Sequence, residues 1–410
     1  MVPRFLLERF SNPSLVLVVF LLVPVFWPLL FFTWPVICFF IVSDKFLRNP
    51  LLIHTNKNLL RDMYLFKKCS ASVRRGASSS VVSSGTSPPP VRRQNVTRNP
   101  IVIAHRCGGG EFPENTIAAA KSTLASTPGS TILHVDLHLT RDKEVICFHD
   151  QEPHERNMLK LTGRDASIRT FTYAELPPLS PRIPTNPLCD LGTYIDTTQF
   201  REDGRTICKF EDLCENFIDT PMILELWDDD PELVARTHDI LFNYRKSRHV
   251  VWGNRFSREI QSTCEQHDLA MPTFNTASQW IIVYICYYLG LLPFVPLLHF
   301  DVFHAVLINE DRYRRLLLGA VPAKMRGVAR LVFGAVCRTA NYFLRAPGLF
   351  GHLSARGIPV VGFSINDTDE WAYACQHNFA AVVTDYPKKM VSFLRGNVQV
   401  LKVKDGRERF

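Results

Sequence analysis

Several common signatures are missing from this 410-residue chain. Its eleven cysteines are odd in number and include no C-x-x-C pair, which argues against a disulfide framework and against a structural zinc site. No G-x-G-x-x-G follows the first apolar strand, so a dinucleotide-binding doubly wound sheet lacks its fingerprint. Asp, Glu, Lys and Arg are absent from two long stretches, residues 14–42 and 269–300. There is also no nucleic-acid-binding motif. The net charge of +8 does not imply one, because residues 43–100 hold eleven Lys/Arg against two Asp and leave the rest of the chain near neutral. Basic charge beside an apolar segment suits anionic lipid headgroups.

The first charge-free run, LVLVVFLLVPVFWPLLFFTWPVICFFIV, is long enough to cross a ~30 Å hydrocarbon core, which takes about 20 residues. Its prolines Pro24, Pro28 and Pro35 and its lack of a small-residue cleavage site separate it from a signal peptide. Residues 1–13 therefore read as a tail, 14–42 as a transmembrane anchor and 43–99 as a basic Ser/Pro-rich linker with no periodic apolar face. The expected location is an integral membrane one, in the endoplasmic reticulum or another endomembrane. Lys45, Arg48, Lys57 and Arg61 outweigh Arg4 and Arg9 and point the rest of the chain to the cytosol. The sequon at Asn95 matters only on the lumenal side, and topology stays open.

From Pro100 the pattern changes. Short β-branched runs recur at 101–104, 132–137, 222–226, 250–252, 271–274, 305–308, 359–363 and 381–384, most of them separated by helical patterns such as 115–125, 231–246, 256–267 and 368–377. This alternation predicts an α/β fold, a (β/α)8 TIM barrel over 100–396, with a Pro-rich insertion at 177–208 and a tail at 397–410. Within the second charge-free run, WIIVYICYYLGLLPFVPLL is apolar all round, unlike an ordinary outer barrel helix. A true span here would put later strands across the bilayer from earlier ones. Residues 278–300 are therefore expected to contact the membrane surface or dip into it. Arg326, Arg330, Arg338 and Arg345 among apolar residues read as a basic amphipathic helix or as an ordinary barrel helix with a charged face.

Two clauses carry chemistry: IVIAHRCGGGEFPENT at 101–116 and ILHVDLHLTRDKEVICFHD at 132–150. His105 and Arg106 follow a strand, at the functional end of a parallel barrel. A histidine there can move protons near neutral pH, and an arginine can clamp phosphate oxygens. Gly108–Gly110 allow a tight turn and close approach to an anion. Asn115 and Thr116 read as helix caps. His134, Asp136 and His138 alternate along one strand and share a face. Burying them unpaired is costly, and a divalent metal would resolve it. His149 follows VICF as a second proton-transfer candidate, and Glu225 ends MILEL as a further carboxylate.

With its HR-x-GG…PENT, D-x-x-x-T-x-D…HD, SIN (364–366) and TDYP (384–387) elements, the chain resembles the glycerophosphodiester phosphodiesterase family from about residue 101 to 395. VWGN at 251–254 and LLPFVP at 291–296 are similar to its membrane-anchored, lysophospholipase-D-like branch. The resemblance implies His105 and His149 as the acid/base pair and Arg106 on the phosphate. It implies Asp136 and Glu225 on a divalent ion such as Mg2+ or Ca2+. Glu114, His138 and Trp227 are expected to face the substrate, a phospholipid-derived phosphodiester. The chain departs from the family pattern at Cys107 (Gly in the family), His134 (a metal-binding Glu) and Trp227 (a Lys). With His134 as a ligand, Mn2+ or Zn2+ fits better than Ca2+. Metal-assisted hydrolysis to glycerol phosphate or lysophosphatidic acid is one reading. A catalytically inactive, lipid-binding barrel is the other.

The second membrane contact is directly testable. Protein lacking residues 1–98 should stay on membranes through a carbonate wash, and a freely soluble truncation would refute that contact.

Overall fold

A computed structural model of the protein describes residues 99–128, 131–150, 157–185, 193–295, 300–307 and 328–396, together with positions 36, 39, 42–44 and 47. The N-terminal tail, most of the anchor and linker, and the 397–410 tail lie outside the described residues. Among the described residues no helix is long and apolar enough to cross a membrane.

Seven parallel strands form a curled sheet. In chain order they are β1 (Ile101–Ala104), β2 (Thr131–Leu139), β6 (Met222–Leu226), β7 (Val250–Gly253), β8 (Phe303–Val306), β9 (Val360–Phe363) and β10 (Ala381–Thr384). Their order across the sheet is β7-β6-β2-β1-β10-β9-β8. The predicted strand at 271–274 is reduced to two residues. Thr273 bridges Trp252 on one edge, and Phe274 bridges Val302 on the other. Pro272 lacks an N–H, so it can only accept, taking the amide of Trp252 at 3.1 Å. This short stave links the two edges of the curled sheet and completes the TIM-barrel-like layout. β3 (Val145–Cys147) pairs antiparallel to β2 as a local hairpin.

The helices α1 (Ile117–Ser126), α4 (Pro231–Asn243), α5 (Arg258–His267), α6 (Ala277–Tyr288) and α9 (Thr368–Gln376) start at side-chain caps. Thr116, Asp230 and Ser257 cap the first three, and capping boxes Thr276/Gln279 and Asp367/Glu370 start the others. Between β3 and β6 lie α2 (Asn157–Thr162), the hairpin β4 (Arg182–Pro184) with β5 (Tyr194–Asp196), and α3 (Phe210–Asn216). Leu179, Ile183 and Ile207 of the predicted insertion at 177–208 share one apolar cluster with Ile146, Met158 and Leu161, which precede it.

Strand parity sorts the residues. Ile101, Ile103, Ile132, Ile223, Val251, Val361, Ala381 and Val383 fill the barrel interior with Phe274 and Val302. Their neighbours Leu133, Val135, Leu137, Leu224 and Leu226 face outward to the helices. Continuing the inward line toward the strand C-termini puts His105, His134, Asp136, Glu225, His304 and Asp385 at the top of the barrel.

The second charge-free run becomes the short stave and α6. Val283 and Tyr284 of α6 are buried, while Ile281, Ile282 and Ile285 are each about half exposed. Beyond it come α7 (Val328–Leu344) and α8 (Pro347–Ala355). The α7 helix is amphipathic, with Arg338 and the apolar Leu331, Val332 and Val336 exposed and Cys337 buried. The end of the anchor run packs beside α6. Ser43 Oγ donates to Gly290 O at 3.0 Å, and the Phe39 and Phe294 rings lie 6.0 Å apart.

His352 on α8 contacts Leu47 O through Nδ1 at 3.2 Å, and burial lowers its pKa to about 4. The unfolded chain therefore takes up this proton more readily than the folded one. Stability should be full above about pH 6.5, fall as pH drops, and level off below about pH 4. His352→Gln should remove on the order of 1–2 kcal/mol of that loss at pH 5. Urea unfolding at pH 7 and pH 5 checks this, and identical slopes for both proteins would contradict it.

Candidate active site

Residues from every quarter of the barrel meet at its C-terminal end. β2 and β6 pair in register with Asp136 beside Glu225. One donor atom each from His134, Asp136 and Glu225 lies within 4.8 Å of the others, and all three residues are buried. Neither ring nitrogen of His134 has a hydrogen-bond partner among the described residues, although the ring is fully buried. Its Nε2 is 3.4 Å from Glu225 Oε2. An unsatisfied buried imidazole beside two carboxylates has the donor chemistry of a divalent-metal site, and its nitrogen favours Mn2+ or Zn2+ over Ca2+.

Both carboxylates also accept from the protein. Asp136 accepts from Asn115 Nδ2 at 3.0 Å and from Trp227 Nε1 at 2.9 Å, and Arg106 Nε is 3.6 Å away. Burial alone would raise its pKa, but His149, His134 and Arg106 hold it below the usual carboxylate range. Glu225 receives a fork from Arg255, with Nε at 3.0 Å and Nη2 at 3.2 Å. Here too burial is opposed, and Arg255 and His134 keep the group ionised well below its ordinary pKa.

His105 Nδ1 donates to Asp385 Oδ1 at 2.7 Å. Asn366 orients that carboxylate, donating through Nδ2 to Oδ2 at 2.7 Å and accepting the Asp385 amide at 2.9 Å. Burial pushes the Asp385 pKa up, yet His105 and Asn366 bring it down to about 2. Asp385 therefore stays ionised and fixes the proton on Nδ1, leaving Nε2 of His105 as the basic atom. On the other side, the His149 ring packs edge-on to Trp227 at 4.4 Å, and Asn157 Nδ2 contacts its Nδ1 at 3.1 Å. Burial and then Arg106 push the His149 pKa well below 6.5. Both histidines lie close to the cluster: the His105 ring is 5.1 Å from His134, and His149 sits on the tryptophan that holds Asp136.

The local backbone is bent to allow this. Arg106, Cys107 and Asn115 all have left-handed φ values of 49°, 62° and 54°. At Asn115 this turns the side chain onto Asp136. Asn115 is thus a site residue rather than the predicted cap, a role that Thr116 fills alone. The glycine run also differs from expectation. The Gly108 and Gly109 amides donate to His105 O, and the Gly110 amide donates to Asp385 O. The run packs the loop against the Asp385 turn instead of offering its amides to an anion. A Cβ on Gly110 would lie 2.8 Å from Asp385 O.

The three expected substrate residues have distinct places. Glu114 grips Arg106 Nη1 at 3.0 and 3.3 Å and so orients the guanidinium. His138 uses both ring nitrogens, on Asp228 Oδ1 at 2.9 Å and the Asp150 amide at 3.2 Å, so it acts as a structural tie. Trp227 lines a cavity of about 400 Å³ together with His138, Arg169, Asp228, Asp229 and Phe256. Arg255 and His304 escaped the sequence reading, and Asp385 and Asn366 entered it only as parts of the TDYP and SIN elements, without a role. The fully buried His304 stacks between Phe274 and Phe363, with ring centroids 4.8 and 5.1 Å away. Parity would have found Asp385 and His304, which continue the inward lines of β10 and β8.

A sequence profile described as the glycerophosphoryl diester phosphodiesterase family matches residues 105–389. The lysophospholipase D GDPD1 of Rattus norvegicus is 28% identical over 295 residues, covering 71% of this chain and 85% of the rat protein. The human lysophospholipase D GDPD3 is 27% identical over 294 residues, covering 71% and 84%. Among solved structures, a putative glycerophosphoryl diester phosphodiesterase from Silicibacter pomeroyi aligns over 72% of this chain and 93% of its own, at 18% identity and a TM-score of 0.48.

Trp227→Phe keeps the aromatic wall and deletes the hydrogen bond to a buried carboxylate. It should lower unfolding stability by roughly 1.5–3 kcal/mol with an unchanged denaturant slope. A variant as stable as the parent would show that the indole is not holding Asp136.

Proposed function

The chain belongs to the glycerophosphoryl diester phosphodiesterase family, and from that premise we propose that it hydrolyses phosphodiesters of glycerol-based lipids at a membrane surface. The products are lysophosphatidic acid or glycerol phosphate and a free alcohol such as choline or ethanolamine. The observation that carries the reading is the gathering of His105, oriented by Asp385, and of His149, packed on the Asp136-binding Trp227, around the buried His134, Asp136 and Glu225.

His105 Nε2 takes a proton from the attacking water, whose oxygen bonds to phosphorus as the bond to the leaving oxygen breaks, and Asp385 stabilises the imidazolium that results. Arg106, held by Glu114, receives the non-bridging phosphate oxygens. His149 protonates the departing alkoxide. Its pKa is held low in the free protein by burial and then by Arg106, and phosphate bound to Arg106 offsets the second of these. His134, Asp136 and Glu225 would hold a divalent ion, which when bound supplies positive charge to polarise a phosphate oxygen.

Substrate class follows from two surfaces. Trp227, Phe256 and the carboxylates of Asp228 and Asp229 line one cleft, a wall suited to a cationic headgroup. A second, apolar groove of about 490 Å³ lies between α6 and α7, lined by Trp280, Ile281, Ile285, Tyr288 and Phe343 among others. It fits acyl chains at a bilayer surface, and the charge-free run 14–42 ends beside it as the proposed anchor. One observation favours a lipid-binding barrel without turnover instead: the Arg255 fork already on Glu225.

Full-length protein in detergent, assayed on lysophosphatidylcholine and glycerophosphocholine with Mg2+, Ca2+, Mn2+ or Zn2+ in turn, separates the two readings. Hydrolysis is expected, with kcat lowered about 10²–10⁴-fold by His105→Ala and about 10²-fold or more by Asp385→Asn. No turnover in any condition leaves the lipid-binding reading, and turnover that His105→Ala does not lower defeats the role given to His105.

A further inference from the structure

We propose that Arg255 is a tethered cation competing with the divalent ion for Glu225, so that this side chain governs metal occupancy. The inference rests on the metal reading above. It begins with position. Arg255 follows Gly253 and Asn254 at the end of β7, one stave beyond β6, and reaches back across the barrel rim. Both of its donors on Glu225 are within hydrogen-bond distance, one for each carboxylate oxygen. Its guanidinium carbon lies 3.5 Å from the centre of the Phe363 ring. The same ring carries His105 at 5.5 Å and His134 at 5.7 Å. Arg255 therefore shares one aromatic floor with a metal ligand and holds another metal ligand directly.

Charge makes the two occupants compete. Around the donor cluster, Arg106 and Arg255 face Glu114, Asp136 and Glu225. Asp385, ionised beside His105, adds a fourth carboxylate to the site, so the conflict is local to Glu225. An ion touching Glu225 would also be a close neighbour of the guanidinium on the same carboxylate, in a site sealed from water, where like charges are poorly screened. The conflict is relieved if Arg255 swings out. The solvent edge of the site lies on its side, since its side chain is 14% exposed whereas that of Glu225 is 3% exposed. The backbone around it stays fixed meanwhile, because Asn254 Oδ1 accepts the amides of Phe256 and Ser257 at 2.7 and 2.6 Å. Seated on Glu225, Arg255 keeps a buried carboxylate paired when no ion is present; displaced, it yields a three-donor site.

The test is Mn2+ binding to full-length protein in detergent, read from the electron paramagnetic resonance of free Mn2+, with no substrate present. Arg255→Met is expected to bind Mn2+ about tenfold more tightly than wild type, within the roughly 5–150-fold range of such couplings. Arg255→Lys, which keeps the charge but loses the fork, should fall between them. It also serves if the methionine variant does not fold. Mn2+ should raise the Tm of Arg255→Met more than that of wild type. Glu225→Gln should weaken binding in both backgrounds. Equal or weaker affinity in the Arg255 variants overturns the competition while leaving the metal reading intact. Absence of Mn2+ binding in all of them, with hydrolysis persisting in chelator, defeats the metal reading and the competition together.

Discussion

Carboxylates buried at the mouth of an apolar barrel must be matched by donors or positive charge, and the site is built around that requirement. An unmatched buried charge costs about 3–5 kcal/mol, a large part of a domain's net stability. Each buried acid here has named partners: Asp136 has Asn115, Trp227 and Arg106, Glu225 has Arg255, Glu114 has Arg106, Asp385 has His105 and Asn366, and Asp228 has His138. The partners come from β2 itself and from the loops after β1, β6, β7 and β9. The chemistry of the rim and the assembly of the barrel are therefore one problem, and a group that serves catalysis also holds two staves together.

Much of this was legible from residue patterns because strand parity is strict. The alternation of His134, Asp136 and His138 with leucine and valine places them on one face, and the run ending in Glu225 delivers the facing acid. The positions of most strands and several helix starts also follow from local signals. What escaped was long-range. Asp385 and Asn366 meet His105 only because β10 closes beside β1 and β9 beside β10. Arg255 acts on the neighbouring strand, and nothing in its own surroundings in sequence announces that reach. Asn115 looks like a cap on any local rule; its left-handed backbone is what turns it inward. The short stave was overestimated because Met271–Phe274 has strand composition, while Pro272 limits its pairing.

The second charge-free run shows how one stretch can serve two layers. Its first residues bridge the barrel wall, and its helix packs one side on the core while leaving isoleucines on the other side open. The apolarity that looked excessive for a barrel helix reflects two contacts made by one helix, with α7 beside it adding a groove of tyrosine, tryptophan and phenylalanine. Phe39 in the first charge-free run and Ser43 just after it pack next to this face.

Strand parity also limits how this site can change over generations. A one-residue insertion or deletion inside Thr131–Leu139 would exchange the line bearing His134 and Asp136 for the line bearing Leu133, Val135 and Leu137, erasing the centre in a single step. Point replacements carry no such penalty, since each swaps one side chain and leaves the alternation intact. Variation among descendants of this chain is therefore channelled: new ligand sets arise by exchanging residues on fixed staves, and length differences collect in the loops.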